Sequence, residues 1–136
     1  MATNLQIKSF RSPDERRSFA DGKGYLDLLR IGGQDVGLAV FQPGWRWSSH
    51  VRPLAGTDTC QSAHHAYVVS GRLHVVMDDG QEGDLSPGDF ALIEPGHDAW
   101  VLGDEPCVIF DFAGFADYAR PAAGQATASA EPAPVH

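Results

Sequence analysis

The chain has 136 residues, of which 43% are hydrophobic and 10% aromatic, which suffices for one domain with a single core but not for two. Its formal net charge of −8 disfavours nucleic acids and anionic membranes as partners, because such partners are bound by basic surfaces. The sequence contains no apolar run of about 18 residues that could span a membrane, and residues 1–17 lack the apolar segment of a secretory signal.

The N-terminal residues carry one helix-start pattern. Ser12 can cap a helix, Pro13 suits its first position, and Glu15 stands where a capping box places an acidic residue. Gly22 and Gly24 follow soon after, so the pattern predicts at most a short helix. We interpret residues 1–20 as an N-terminal extension, helical or extended, that precedes the folded domain.

From Tyr25 onwards, short strand-like runs alternate with turn residues, such as the Gly-Gly-Gln-Asp stretch at 32–35 and the Asp-Gly pair within 78–81. The predicted strands are residues 25–31, 36–41, 45–51, 65–69, 72–77, 82–85, 90–93, 100–102 and 107–112. Turns at intervals of roughly 8 to 12 residues are typical of an antiparallel sandwich or barrel, so the predicted fold class is all-β. We expect residues 21–116 to form the barrel and residues 117–136 to be a disordered tail.

The region from position 50 to position 65 concentrates groups that can bind a metal. It contains His50, His64, His65 and Cys60, and the chain has only one other cysteine, Cys107. In a strand that begins at His64, alternation places His64 on one face and His65 on the other. Two cysteines without a secretory signal favour free thiols in a reducing compartment, so we expect a cytoplasmic protein.

The glycines that flank this region support a family resemblance. Five residues separate Gly44 from His50, and six residues separate His64 from Gly71. In this register the chain resembles the first metal-binding motif of the cupin family, with His50 at the first histidine position and His64 at the glutamate position. Arg52 stands at the second histidine position and is a departure from the family pattern.

A second stretch, beginning at Gly88, resembles the second cupin motif. Gly96 occupies the glycine position of that motif, and His97 lies two residues before the family's histidine position, which is Ala99 here. The resemblance covers residues 41–112. Within the family, the sequence is most similar in character to small bacterial single-domain cupins. It implies a cupin double-stranded β-helix, or jelly-roll barrel, with a short N-terminal helical or extended arm.

The resemblance also implies a metal site inside the barrel. Because an alternative register makes Cys60 the second ligand of the first motif, the predicted metal ligands are His50, Cys60, His64 and His97. Imidazole and thiolate suit a divalent transition metal (Zn, Fe, Mn or Ni) better than magnesium or calcium. The implied function is a small-molecule pocket with a metal, as in an isomerase or dioxygenase that acts on a small polar substrate.

A metal-free pocket is the alternative interpretation. The histidines would then bond to backbone carbonyls, and the protein would be a non-catalytic ligand-binding or sensor cupin. Two further hypotheses are a nucleophilic or redox-active Cys60 assisted by His64, and a barrel that serves only as an interaction scaffold. The spacing of the residues is compatible with each of these hypotheses.

The predicted ligand-pocket residues are Arg52, Trp47 and Trp100. The guanidinium of Arg52 would bind a ligand carboxylate or pair with Asp58 or Glu94, and the tryptophans would line the mouth of the barrel. A jelly roll leaves strand edges that a second copy can cover, so we also expect a homodimer.

Overall fold

The computed structural model describes residues 4–112, which form short antiparallel strands with little helix. The strands are β1 (Glu15–Ser18), β2 (Gly24–Ile31), β3 (Gln34–Phe41), β4 (His64–Ser70), β5 (Arg72–Met77), β6 (Glu82–Leu85), β7 (Phe90–Ile93), β8 (His97–Leu102) and β9 (Cys107–Asp111). A 3₁₀ turn spans Ala20–Gly22, and helices α1 (Trp47–His50) and α2 (Arg52–Ala55) lie between β3 and β4.

The strands form two antiparallel sheets that share one core. The larger sheet has the strand order β1-β2-β3-β9-β4-β7, and the smaller has the order β6-β5-β8. Leu26 and Val68 of the larger sheet belong to the same buried cluster as Val75 and Val101 of the smaller one. In β2, β3, β4, β5, β8 and β9 the cluster takes alternate residues, as expected where one face of a sheet packs against another sheet. The all-β prediction is therefore confirmed.

The hairpin predicted between β2 and β3 is confirmed, and its turn is tighter than predicted. Ile31 pairs with Gln34, so Gly32 and Gly33 alone connect the strands. Their φ angles of 59° and 77° lie in the left-handed region, which glycine adopts without strain.

Of the two forms predicted for the N-terminal extension, the helical one after Ser12 is wrong and the extended one is found, because residues 15–18 form β1 and pair with β2. Nε and Nη2 of Arg16 donate to the two carboxylate oxygens of Asp27 at 2.6 and 2.9 Å, and Asp27 is buried. This bidentate ion pair ties the segment to β2 and outweighs the local capping signal. Part of the predicted N-terminal extension thus belongs to the larger sheet.

The strand predicted at residues 45–51 is also wrong, because residues 47–50 form helix α1. The alternation of Trp45 and Trp47 with polar residues suggested a strand. However, Trp47, His50 and Val51 are all buried, and this spacing of three and four residues places them on one helical face. The apolar period in this segment is helical, but the segment is too short for the sequence to reveal it.

The structure leaves some of the predictions about chain organisation untested. The tail predicted at residues 117–136 lies outside the described residues. Between residues 4 and 112, no helix has both the length and the apolar character needed to cross a membrane.

Candidate functional site

Three strands point polar side chains into the core at one end of the barrel. On β4, His64 is buried and His65 is exposed, which confirms the predicted alternation. His97, at the start of β8, and Asp111, at the end of β9, are buried as well. Buried ionisable residues require partners, and these three have them within the site.

Cys60, His64 and His97 form a compact group. One potential ligand atom from each of them lies within 4.8 Å of those of the other two. The sulfur of Cys60 is 3.7 Å from Nε2 of His64, and the rings of His64 and His97 meet nearly edge to face with centroids 5.3 Å apart. All three side chains are buried, with exposed fractions of 2%, 8% and 4%.

The backbone positions Cys60 beside His97. The two residues form an isolated antiparallel bridge, in which the Cys60 N–H donates to the His97 carbonyl at 2.7 Å. The Gly96 N–H donates to the Cys60 carbonyl at 2.6 Å. The loop before β4 is therefore attached to the start of β8 at the point where the thiol enters the core.

Asp111 orients His64 and was not predicted from the sequence. Its Oδ2 is 2.6 Å from Nδ1 of His64, and its Oδ1 accepts a hydrogen bond from the His65 N–H at 3.2 Å. The bond to Nδ1 directs Nε2 of His64 towards Cys60. The available signal was the alternation of β9, in which Cys107, Ile109 and Asp111 share the inward face.

The site shifts the ionisation of its thiol and imidazole in opposite directions. Burial by itself raises the pKa of Cys60, but hydrogen bonds and charge from His64 and His97 outweigh it and lower the pKa to about 6. Burial also disfavours the charged form of His64, yet the bonds to Asp111 and Cys60 raise its pKa to about 9. Without a metal, the pair is therefore a thiolate beside an imidazolium at neutral pH.

We expect the Cys60 thiolate in metal-depleted protein to form with a midpoint near pH 6. The ultraviolet absorbance of the thiolate, followed against pH in the wild type minus a Cys60→Ser variant, measures this midpoint. Cys107 is an internal control, because burial raises the pKa of its thiol to about 12. A midpoint at the ordinary cysteine value, about 8.5, would show that the histidines do not stabilise the thiolate.

The chemistry of the group fits a transition metal. An ion that binds thiolate sulfur at about 2.3 Å and imidazole nitrogen at about 2.0 Å in a tetrahedron holds the two atoms about 3.5 Å apart. The observed distance between Cys60 Sγ and His64 Nε2 is 3.7 Å. The outer ring nitrogens are also engaged as in metal sites, because Nδ1 of His64 contacts Asp111 and Nδ1 of His97 donates to the Glu94 carbonyl at 2.7 Å.

His50, the fourth predicted ligand, lies outside this group. It ends helix α1, where its Nδ1 accepts a hydrogen bond from the Arg46 N–H at 3.0 Å and its Nε2 is 3.9 Å from Asp21. The prediction assumed that residues 45–51 were extended, and the helix rotates His50 away from the direction that a strand would give it.

A cavity of about 40 Å³ lies beside the group and extends into the core. His64, His97 and Asp111 form its polar wall, and the remaining wall is apolar. Trp45 and Trp47 also line it, and each is only 2% exposed. Their Nε1 atoms are buried and have no hydrogen-bond partner among the described residues. A buried donor in this state costs about 1–3 kcal/mol of stability.

Arg52 and Trp100, which were predicted with Trp47 to line the pocket, lie outside the cavity. The Arg52 side chain is half exposed and donates to Asp58 at 3.1 Å, so it satisfies the predicted pairing at the surface. Trp100 faces outward from β8, where the Arg46 guanidinium lies 4.0 Å from the centre of its ring. The alternation of β8 explains this position, because Ala99 and Val101 take the inward places.

Comparison with known proteins supports the fold. Residues 59–113 match the family model of the cupin domain. No curated protein matches the chain. Among solved structures, a Klebsiella pneumoniae protein with a double-stranded β-helix domain is 24% identical, with a TM-score of 0.53, and the alignment covers 82% of this chain and 90% of that one.

Two solved enzymes share the architecture. A sugar phosphate isomerase of the cupin superfamily from Silicibacter pomeroyi is 22% identical with a TM-score of 0.51, and 78% of this chain and 73% of that one are covered. Oxalate decarboxylase of Bacillus subtilis is 19% identical with a TM-score of 0.56, but the alignment covers 84% of this chain and only 31% of the enzyme. Such identities establish the fold alone. Residues 59–113 thus match a cupin domain, the chain has the fold of these structures, and Cys60, His64 and His97 form a candidate metal site within it.

Proposed function

We propose that the protein is a cytoplasmic metal-binding cupin in which Cys60, His64 and His97 hold one divalent transition metal next to a small-molecule pocket. The observation that supports this most strongly is the convergence of one thiol and two imidazoles, all buried, within 4.8 Å. Two other observations agree with it: the 3.7 Å spacing of sulfur and nitrogen, and the carboxylate of Asp111 behind His64.

Three protein ligands suit a catalytic site better than a structural one. Closed structural zinc sites use four protein ligands, whereas catalytic sites keep a position for water or substrate. When bound here, a metal would supply Lewis-acid polarisation of a substrate oxygen. The chain's own residues fix the ligands: Asp111 orients His64, the Glu94 carbonyl orients His97, and the backbone bridge places Cys60.

The reaction class remains that of a metal-dependent isomerase or dioxygenase acting on a small polar substrate. The cavity has room for only a few non-hydrogen atoms, since one water molecule needs about 10–15 Å³ and the cavity measures about 40 Å³. This size favours a substrate much smaller than the sugar phosphate named for the Silicibacter pomeroyi enzyme.

Elemental analysis of protein purified without a histidine tag tests the proposal. We expect about one transition-metal ion per chain in the wild type and much less in a Cys60→Ala variant. Cys107→Ala is the matched control, because Cys107 is also a buried free cysteine but lies outside the group. Equal metal contents in the two variants, or a metal-free wild type that takes up none of Zn, Fe, Mn or Ni, would overturn the proposal.

The second candidate function is a metal-free site built on the line from Cys60 through His64 to Asp111. The specific observation in its favour is that each member already has a partner within the protein. A carboxylate, an imidazole and a thiolate in this order can support nucleophilic chemistry or ligand binding. A metal-free wild type with a thiolate midpoint near pH 6 would favour this candidate.

The predicted homodimer is supported by an apolar surface at the edge of the larger sheet. Phe90 and Leu92 of β7 are each 62% exposed, and the ring of Phe90 stacks on that of Phe112 at 6.3 Å. Among the described strands, β7 lies at the edge of the larger sheet, and we propose that a second copy covers its apolar face and its edge.

A further inference from the structure

A groove of about 380 Å³ lies between strands β6 and β7. Among the described strands, β6 is at the edge of the smaller sheet and β7 at the edge of the larger one, and they are not paired with each other. Along this side the two sheets therefore leave the space between them open. A volume of this size lies in the range of small-molecule sites, which is roughly 300–1,000 Å³.

The groove and the inner cavity share part of their walls. Val75 of β5 and Ile93 of β7 line both spaces, and both residues are buried. At these two positions a single residue separates the groove from the cavity. The cavity itself measures about 40 Å³ and is lined by buried residues, so a ligand reaches it only when part of the wall moves.

The groove also borders the candidate metal site. Ile93 is the partner of His64 between β7 and β4, and Met77, which also lines the groove, is the partner of His97 between β5 and β8. Residues opposite each other in an antiparallel pair point to the same face of the sheet, with Cβ atoms about 4.5–5.5 Å apart. Each histidine of the site thus has a groove residue as its direct cross-strand neighbour.

The two ends of the groove differ in how firmly they are held. At one end, the turn that connects β6 to β7 is bonded to β4, because the Gly88 N–H donates to the Val68 carbonyl at 2.9 Å and the Val68 N–H donates to the Asp89 carbonyl at 3.0 Å. At the other end lie Met77, whose unbranched side chain rearranges readily, and Ile93, whose strand is paired on one side only among the described strands. Movement of the wall is therefore easiest at this second end, next to the histidines.

We propose that small molecules reach the cavity through this groove, and that Val75, Met77 and Ile93 form the barrier that they pass. The inference rests on the proposed function, since it gives the pocket of that site its route from solvent. It also assigns these three side chains a role in selection, because the gap that their movement opens sets the size of the molecule that reaches the site.

Isoleucine methyl groups allow passage to be measured by NMR. The chain has four isoleucines: Ile109 lines the cavity alone, Ile93 lines both spaces, and Ile7 and Ile31 line neither. The ligand used is xenon, an uncharged atom that binds in apolar cavities. We expect xenon to shift the methyl resonances of Ile93 and Ile109 and to leave that of Ile31 unchanged. Relaxation dispersion of the Ile109 methyl then gives the rate at which xenon exchanges between the cavity and solvent.

Gly83 offers a way to block the groove without changing the shared wall. It faces Val75 across β6 and β5, its φ is outside the left-handed region, and no atom of the described residues beyond its chain neighbours lies within 4 Å of the place where its Cβ would be. We expect Gly83→Phe to fill the groove and to slow xenon exchange at Ile109 by about tenfold or more. Gly83→Ala is the matched control, because a methyl group leaves the groove open, and it should change the rate by less than about twofold.

A second variant tests the barrier itself. Ile93→Val removes one carbon from the shared wall and should speed xenon exchange at Ile109 by about threefold or more. The protein is kept dilute enough to be a monomer, because a second copy on β7 would cover the rim of the groove. An Ile31 methyl at its wild-type position shows that each variant is folded.

Four outcomes would each overturn the inference. They are exchange in Gly83→Phe within about twofold of the wild-type rate, equal slowing in Gly83→Ala, exchange in Ile93→Val no faster than in the wild type, and an Ile109 methyl that does not respond to xenon.

Metal analysis of the same samples separates this inference from the proposed function. If the wild type binds no metal but Gly83→Phe slows xenon exchange, the route stands and the metal site is wrong. If the wild type binds one metal ion but Gly83→Phe leaves the exchange rate unchanged, the metal site stands and the route is wrong.

Discussion

A His64→Ala variant is expected to lose about 3–5 kcal/mol of unfolding free energy in the metal-depleted state. The substitution leaves the buried carboxylate of Asp111 without its imidazole partner, and breaking one side of a buried pair has effects of this size. Denaturant unfolding followed by circular dichroism measures the difference in free energy. In thermal unfolding, the midpoint temperature of the variant should be lower by roughly 10 °C or more.

The neighbouring histidine supplies the control. His65 is exposed, so His65→Ala should change the unfolding free energy by about 0.5 kcal/mol or less. The double variant His64→Ala/Asp111→Ala should be more stable than the sum of the two single losses predicts, because it removes both members of the pair. Strict additivity in this cycle would show that His64 and Asp111 do not stabilise each other.

Adding a transition metal to the metal-depleted wild type should raise its unfolding free energy by about 4 kcal/mol when free metal is about 1,000 times the dissociation constant. The reason is that the three ligand atoms converge only in the folded chain, so the metal binds the native state in preference to the unfolded one. Thermal unfolding with increasing Zn²⁺, and separately with Ni²⁺ or Mn²⁺, measures the stabilisation and ranks the ions.

The stabilisation should depend on Cys60 and not on Cys107. Cys60→Ala should abolish most of the gain, whereas Cys107→Ala should keep the gain from a lower starting stability. If zinc stabilised the two variants equally, the ion would be binding elsewhere, for example at the group formed by the half-buried His74 with Asp84 and Glu82. A His74→Ala variant would identify that second location.

The sequence was sufficient for much of the fold because local signals and tertiary packing agree there. Glycines that need positive φ mark the β2–β3 turn, and alternating burial marks β4. The same signals mislead where a long-range partner decides the structure. Asp27, eleven residues away, makes β1 a strand, and nothing local to Arg16 shows that it has such a partner.

The candidate site was predictable only in part, for a related reason. His64 follows from strand alternation and from the cupin spacing. His97 departs from that spacing by two residues, but it lies on the same face of β8 as Ala99, which stands at the family's histidine position. His50 depended on an extended backbone that α1 replaces. Cys60 lies in a loop, where the direction of a side chain does not follow from a helical or strand repeat. Its position at the site depends on its backbone bridge to His97.

The backbone bridge to His97 fixes the position of residue 60 without using its side chain. Main-chain atoms make the hydrogen bonds of the bridge between residues 60 and 97, so we expect a different side chain at position 60 to occupy the same place. Exchange of the thiol for another small donor would alter the metal preference without redesign of the loop. Because Cys60 lies in a loop rather than in a strand of the core, we expect a substitution there to change the metal preference with little effect on the packing of the strands.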